Sequence, residues 1–394
     1  MQYRTNPKNG DRISQLGLGC MRFPKSGGRI DQEKTNALIA AAIDGGINYF
    51  DTAYMYGGSE TALGAALAGL GKRDSVFIGT KLPHYLCKKP QDFDRYFNTQ
   101  LERLQTGWVD YYHLHMLGNI EAWQRLEALG FVKWADERRA EGKIRNLGFS
   151  FHGGREDFLV LLDGFDWGFC LLQFNYYDEQ NQAGIGGVKA AHGKGMPVFV
   201  MGPVRGGMLS DELPEGARRA FRRVDEGRAP ADWALRWVLD HGEVTMALSG
   251  MSNLGQIQEN AATADEARAG SLGAAEFAAY SEAVAALNKG SGIPCTKCGY
   301  CMPCPHGVNI PECLSCYNIS HAFGRFSGIA QYMQVTGQMT PTQSDASKCT
   351  ACGACKPRCP QGIAIPEELG KVNRRMASFI ARPIYRLARK ILKV

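Results

Sequence analysis

Eight short apolar runs recur along the first 290 residues of this chain, and longer stretches of helical periodicity separate them. The runs are Ile13–Gly19, Ile47–Thr52, Val76–Leu82, Val109–His115, Ile144–Phe151, Cys170–Tyr177, Pro197–Pro203 and Val244–Gly250. Several, such as VFIGT and PVFVMG, are apolar at consecutive positions, as a strand buried on both faces of a parallel sheet must be. Between them, DQEKTNALIAAAIDGG and IEAWQRLEALGFVKWADERRAEGK read as helices closed by glycine. Strands and helices alternating in this number predict an α/β protein built on a (β/α)8 (TIM) barrel. A doubly wound open sheet is the alternative, but no G-x-G-x-x-G follows the first run.

The chain is too long, at 394 residues, for one ordinary domain. Cysteine shows where the second begins. Cys20, Cys87 and Cys170 are scattered through the barrel region, whereas ten cysteines lie between Cys295 and Cys359. The N-terminus lacks the apolar core of an export signal and no run of eighteen apolar residues occurs, so a cytoplasmic protein is expected. In that reducing compartment, clustered cysteines point to metal or redox work rather than disulfides. The expected organisation is a barrel over 1–288, a small Cys-rich ferredoxin-like module over 289–370, and a basic tail over 371–394.

The module contains a short repeat. Cys304-PHGVNIP and Cys359-PQGIAIP share one pattern, and three cysteines spaced three apart precede each. The second run, Cys349, Cys352, Cys355 and Cys359-Pro, resembles the bacterial ferredoxin signature at every position. The first, Cys295, Cys298, Cys301 and Cys304-Pro, is one residue shorter before its last cysteine. This resemblance implies two [4Fe–4S] clusters whose fourth ligands cross: Cys295, Cys298, Cys301 and Cys359 on one, Cys349, Cys352, Cys355 and Cys304 on the other. Zinc is the competing metal, but its structural sites use paired knuckles set further apart. Cys313 and Cys316 fall outside the repeat and read as buried apolar residues, as do Cys20, Cys87 and Cys170.

The net charge of +6 is a local property. From Lys371 to Val394 there are eight Lys or Arg and no acid; without them 37 basic residues face 39 acidic ones. That excludes a nucleic-acid-binding face. The tail reads as a helix with a solvated basic face; docking to an acidic redox partner or a membrane surface is the less favoured reading.

Reactive residues of a (β/α)8 barrel sit at the C-terminal ends of its strands. Asp51, Lys81 and His115 fall at three such ends, and Tyr56 lies on the loop after Asp51. The set suits carbonyl reduction: Tyr56 supplies a proton, Lys81 lowers its pKa, Asp51 fixes Lys81, and His115 orients the substrate oxygen. His113 reads as barrel filling. The segments GINYFDTAYMYG, GTK and VDYYHLH resemble the catalytic tetrad of the aldo-keto reductases in its usual order, and the likeness continues through GKIRNLGFSFHG, LQFNYYD, MGPVRGGML and GMSNLGQIQEN. It implies that Asp51, Tyr56, Lys81 and His115 are catalytic. It further implies that Asp51, Ser150, Phe151, Gln173, Gly202, Arg205, Gly206, Ser252, Gln256, Glu259 and Asn260 hold a nicotinamide cofactor, with Cys20 and Met21 edging the same pocket. Two departures are Phe151, where the family usually has Asn, and Gln256, where many NADP-preferring members have Arg; the choice between NADP and NAD stays open.

The resemblance therefore implies an oxidoreductase acting on a small carbonyl or alcohol substrate. A nucleotide-binding electron-transfer or redox-sensing protein is the alternative. A hydride carries two electrons and a cluster exchanges one, so coupling them needs a converter such as a flavin, for which the sequence gives no signal. Tyr54, Trp233 and Phe174 are candidate pocket-lining aromatics.

Overall fold

The computed structural model describes residues 1–288, 293, 295, 299, 301–336, 343–359 and 361–376. They form two compact units. The first comprises Met1–Glu179, Ala183–Leu213 and Val224–Phe277; the second comprises Gln180–Gln182, Pro214–Arg223 and the described residues from Ala278 onward.

The first unit holds a closed barrel of eight parallel strands. In chain order these are β1 (Leu16–Gly19), β2 (Tyr49–Asp51), β3 (Phe77–Leu82), β4 (Val109–Leu117), β5 (Ile144–Phe151), β6 (Phe169–Gln173), β7 (Val198–Met201) and β8 (Val244–Ser249). Neighbours in sequence are neighbours in the barrel, and β8 pairs with β1 to close it. Each expected run contributes one strand, but boundaries differ locally: the sixth, expected to reach Tyr177, stops at Gln173. Arg12–Ser14 leaves the barrel to pair antiparallel with Tyr3–Thr5. β4 runs two residues past His115. The single helix expected over 120–143 is two, Ile120–Ala128 and Phe131–Ala140, because Gly130 between them takes a left-handed φ of 81° that ends the first helix.

Barrel strands alternate inward and outward side chains. Tyr49, Tyr111, Phe169, Leu171, Phe199 and Met246 are fully or almost fully buried in one interior cluster. The rings of Tyr49, Phe169 and Phe199 lie 5.1–5.4 Å from that of Tyr111. The interior is thus a packed core, and chemistry is confined to the mouth.

The second unit shows the cysteine repeat as structure. Helices Ile310–Ala322 and Ile365–Met376 start at equivalent isoleucines of the two motifs. Gly307 and Gly362 take φ of 70° and 65°, and each donates its N–H to the preceding cysteine's carbonyl, Cys304 or Cys359. Val308, Ile310, Ile363 and Ile365 bury themselves in one core with Cys313, Cys316, Tyr332 and Leu369. Among the described residues no helix is long and apolar enough to cross a membrane.

Gly64 lies inside helix Ser59–Leu70, where a Cβ would come within 2.6 Å of the backbone of Arg103 and Leu104 on helix Gln91–Leu104. Backbone atoms cannot step aside as side-chain ends do. Gly64→Ala is therefore expected to destabilise the barrel by about 1–3 kcal/mol, despite alanine's better helix propensity, as read by urea denaturation.

Candidate functional site

Asp51 ends β2 and Lys81 is the penultimate residue of β3, on the adjacent strand. Lys81 Nζ donates to Asp51 Oδ1 and, at 2.7 Å, to the carbonyl of Thr52. Both side chains are nearly inaccessible to solvent. Burial pulls Lys81 down, but Asp51 and then Tyr56 outweigh it and leave Lys81 above its ordinary range. The lysine is therefore an ammonium. Behind it, Gln100 Nε2 donates to the Lys81 carbonyl at 3.0 Å, to Thr80 Oγ1 at 2.9 Å and to Glu60 Oε1 at 2.8 Å. This buried network fixes the strand that carries the charge.

Tyr56 comes back over the pair on a tight loop. Its N–H bonds the Ala53 carbonyl at 3.0 Å, and Ser59 Oγ bonds both Thr52 Oγ1 and the Cys20 carbonyl at 2.8 Å. Lys81 Nζ lies 5.0 Å from the centre of the Tyr56 ring. The sequence reading expected the lysine to lower the tyrosine's pKa. Lys81 does pull it down, but burial pushes up more strongly and the phenol stays above its usual range. Tyr56 is thus a neutral phenol with its proton in place.

His115 meets Tyr56 edge-on, with ring centres 5.9 Å apart. A bulge in β4 aims it: Leu114 pairs with Phe149 and Leu117 with Phe151, leaving two residues against one, and Met116 takes a φ of 59°. Ser150 Oγ fills the irregularity, accepting from Met116 N–H at 2.8 Å and donating to the Leu114 carbonyl at 3.4 Å. Burial, then Lys81, His152 and His84, push His115 well below its usual pKa. It is a neutral imidazole whose buried Nδ1 has no hydrogen-bond partner. His113, two residues earlier, is wholly buried beneath the site.

The residues expected to hold a nicotinamide cofactor gather at the same end of the barrel. Cys20 and Met21 follow β1, the first buried and the second 63% exposed. Ser150 and Phe151 end β5, Gln173 ends β6, and Gly202 follows β7 with a φ of 67°. Gln256 turns back to accept from the Ser252 N–H at 2.8 Å, at the start of helix Leu254–Glu266. Asn260 bonds Ser249 Oγ at 3.2 Å, and Glu259 stands exposed on the same helix. Arg205 Nε instead pairs with Asp178 Oδ2 at 2.9 Å, both side chains nearly inaccessible, beside the left-handed Gly206. Asp178 also accepts from Gln173 Nε2 at 2.9 Å and Asn175 Nδ2 at 3.2 Å. It organises this rim although sequence reasoning gave it no part; its place at the end of LQFNYYD was the available signal. Arg22 was missed too: Nη1 donates to the Gly206 carbonyl at 2.8 Å, bringing a cation across from the loop after β1. Of the candidate pocket aromatics, Phe174 and Trp233 are core, the first packed on Trp237 and His241. Tyr54 lies between Tyr96 and the Arg103 guanidinium.

In the second unit Cys304 is brought to Cys349, Cys352 and Cys355, although 45 residues separate it from the first of them. All four line one cavity, together with Cys301, His306, Arg358 and the buried Ile310 and Leu369. Among the described residues no three His, Cys, Asp or Glu side chains converge as a single metal ion requires. Thiols gathered from both cysteine runs are a donor set of the kind an iron–sulfur cluster takes. Cys295, Cys301 and Cys359 pack against the same core; Cys298 and most of the basic tail lie outside the described residues. Cys313 and Cys316 are wholly buried, and burial pushes the Cys313 thiol well up, so they are core residues as expected.

A closed parallel barrel whose mouth assembles a buried lysine–carboxylate pair, a neutral phenol and a neutral imidazole defines a (β/α)8-barrel oxidoreductase. The chain belongs to the aldo/keto reductase family, whose model matches residues 15–269, and residues 294–364 match the 4Fe-4S dicluster domain. It is 28% identical over 293 residues to L-galactose dehydrogenase of Arabidopsis thaliana, covering 68% of this chain and 89% of that one. Aflatoxin B1 aldehyde reductase member 2 of Rattus norvegicus is 26% identical, over 63% and 79% of the two chains. Among solved structures, an aldo/keto reductase from Klebsiella pneumoniae in complex with NADP and acetate superposes with a TM-score of 0.56 at 25% identity, covering 71% of this chain and 94% of that one.

The buried imidazoles make the barrel acid-sensitive. Burial, then Arg125, pulls His84 from 6.5 to about 3, and burial holds His113 and His115 well below 6.5. Below pH 6.5 the unfolded chain takes up protons that the folded one refuses, so stability is lost as pH falls from about 6.5 towards 3. All six tryptophans lie in the barrel unit and report on it. The urea midpoint of their fluorescence is expected to be lower at about pH 5.5 than at about pH 7.5, and His84→Gln to flatten that dependence.

Proposed function

We propose that the barrel transfers hydride between a nicotinamide cofactor and an aldehyde or ketone, or the corresponding alcohol in reverse, with Asp51, Tyr56, Lys81 and His115 as its catalytic residues. One observation carries the reading. Four ionisable side chains from three strand ends and the loop after the first of them meet at the mouth, with the charge confined to Lys81–Asp51 and both Tyr56 and His115 neutral.

The nicotinamide, when bound, supplies or accepts the hydride. The chain does the rest. His115 donates one ring N–H to the substrate oxygen and holds it toward Tyr56. Tyr56 gives that oxygen its phenolic proton as negative charge develops there. Lys81 then stabilises the phenolate by its positive charge, and Asp51 keeps the ammonium in place. Gln173, Ser150, Gly202, Ser252, Gln256, Glu259, Asn260, Arg205 and Gly206 are the residues proposed to hold the cofactor. Because Arg205 is neutralised by Asp178, we assign the positive charge beside the cofactor's phosphates to Arg22. Gln256 offers a 2′-phosphate no charge, so both NADP and NAD are admissible cofactors.

For the module we propose two [4Fe–4S] clusters with crossed fourth ligands: Cys304 with Cys349, Cys352 and Cys355, and Cys359 with Cys295, Cys298 and Cys301. The cavity that Cys304 lines with Cys349, Cys352 and Cys355 supports joining it to that run, and Cys301 of the other set lines the same cavity. On this reading the clusters exchange single electrons with an outside partner or brace the module.

With NADPH and NADH, and 4-nitrobenzaldehyde as probe, Tyr56→Phe is expected to lower kcat by about 10²–10⁴-fold while cofactor dissociation constants stay within about twofold. Wild-type turnover by this variant would remove the catalytic assignment. Protein purified without oxygen is expected to contain about eight iron and eight sulfide per chain; zinc in place of iron would overturn the cluster assignment.

A further inference from the structure

One more ionisable side chain touches the charged pair, and the mechanism above gives it no part. His113 lies on β4 opposite Lys81 in the parallel register and is wholly buried. Its Nε2 is 3.6 Å from Asp51 Oδ2 and 3.4 Å from Tyr49 Oη, and its ring stands edge-on to Phe169 with centres 4.6 Å apart. Gly79 makes the room: a Cβ there would lie 2.4 Å from Tyr49 Oη and 3.1 Å from His113 Nε2. Asp51 spends Oδ1 on Lys81, whereas its Oδ2 is buried with no hydrogen-bond partner. A bare carboxylate oxygen in a dry interior is costly, and His113 Nε2 stands 3.6 Å from it.

We propose that His113 is a positioning residue: in its Nε2–H tautomer it is the second anchor of the Asp51 carboxylate, keeping Oδ1 on Lys81 and Lys81 beside Tyr56. The other tautomer, accepting from Tyr49 O–H, leaves Oδ2 bare, and the carboxylate selects against it. Nδ1 has no partner in either arrangement to oppose that choice. The inference rests on the catalytic reading of Asp51, Lys81 and Tyr56.

The test uses the full-length, cluster-loaded protein with NADPH and 4-nitrobenzaldehyde. His113→Leu is expected to lower kcat by about ten- to hundredfold, the worth of a hydrogen bond to a charged group, with both KM values within about twofold. His113→Gln, whose amide N–H reaches the same oxygen, recovers most of the loss. Tyr49→Phe leaves kcat within about threefold. A folded His113→Leu protein with wild-type kcat overturns the proposal, as does His113→Gln being as slow as His113→Leu. Should His113→Leu not fold, His113→Asn decides. Its amide stops short of Asp51, so a wild-type kcat overturns the proposal and a lower kcat at unchanged KM supports it. Tyr56→Phe run alongside separates the two ideas. An inactive Tyr56→Phe with a fully active His113→Leu removes only the role of His113, whereas an active Tyr56→Phe removes the catalytic reading beneath it.

Discussion

A lysine and an aspartate held together out of water govern the mouth of this barrel. Taking each charge from solvent costs several kcal/mol, so such a pair persists only where direct contact and further hydrogen bonds offset the loss. Here Asp51 and the Thr52 carbonyl both accept from Lys81, and both belong to the turn that ends β2. β2 is three residues long because the chain must turn immediately after Asp51 to return Tyr56 over the lysine. On the far side, Glu60 Oε1 accepts from Thr80 Oγ1 at 2.7 Å, Gln100 Oε1 accepts from Tyr112 O–H at 2.8 Å, and Arg103 reaches Glu60 Oε2 at 3.1 Å. A buried polar network satisfied to this degree leaves the ammonium one position to occupy.

The same burial keeps the phenol of Tyr56 and the imidazole of His115 neutral beside the pair. A phenol already ionised by its lysine could accept a proton but not give one. Desolvation prevents that: Tyr56 stays protonated although Lys81 is beside it. On the mechanism proposed above, the lysine's influence is held back until negative charge forms on the tyrosine. His115 is likewise kept from becoming a second cation beside the first, which on that mechanism leaves it a hydrogen-bond donor.

Periodicity carried most of this fold. All eight strands follow from apolar runs, because a strand covered on both faces has no polar position to blur the pattern. The places of Asp51, Lys81 and His115 at strand ends were legible from the same runs. What escaped depends on contacts between distant segments. The bulge at Met116 that aims His115 arises where β4 and β5 fall out of step, and no local pattern in VDYYHLHML announces it. Arg205 looked like an anion-binding cation until Asp178, 27 residues earlier, proved to be its partner. The pKa of Tyr56 depended on a balance of two opposed effects, and composition names both without saying which is larger. The barrel's strand order followed from alternation alone, whereas the assignment of Gln180–Gln182 and Pro214–Arg223 to the second unit had no compositional mark.

The cysteine module is constrained differently, because its repeat makes each half incomplete. Gly307 and Gly362 turn the two motifs identically and launch helices whose first isoleucines share one core. Each motif ends in a cysteine that, on the partition proposed above, belongs to the other half's cluster. Neither half then closes a cage alone, and losing one ligand run exposes the other cluster as well. Such mutual dependence favours a module that is assembled entirely or not at all. It also bears on how the chain handles electrons. A hydride moves as a pair and a cubane accepts one electron at a time, so the proposed hydride transfer would gain nothing directly from such a cluster. If the module passes electrons, a separate partner must take them singly, and an all-or-none scaffold is what holds two clusters at a fixed separation for that purpose.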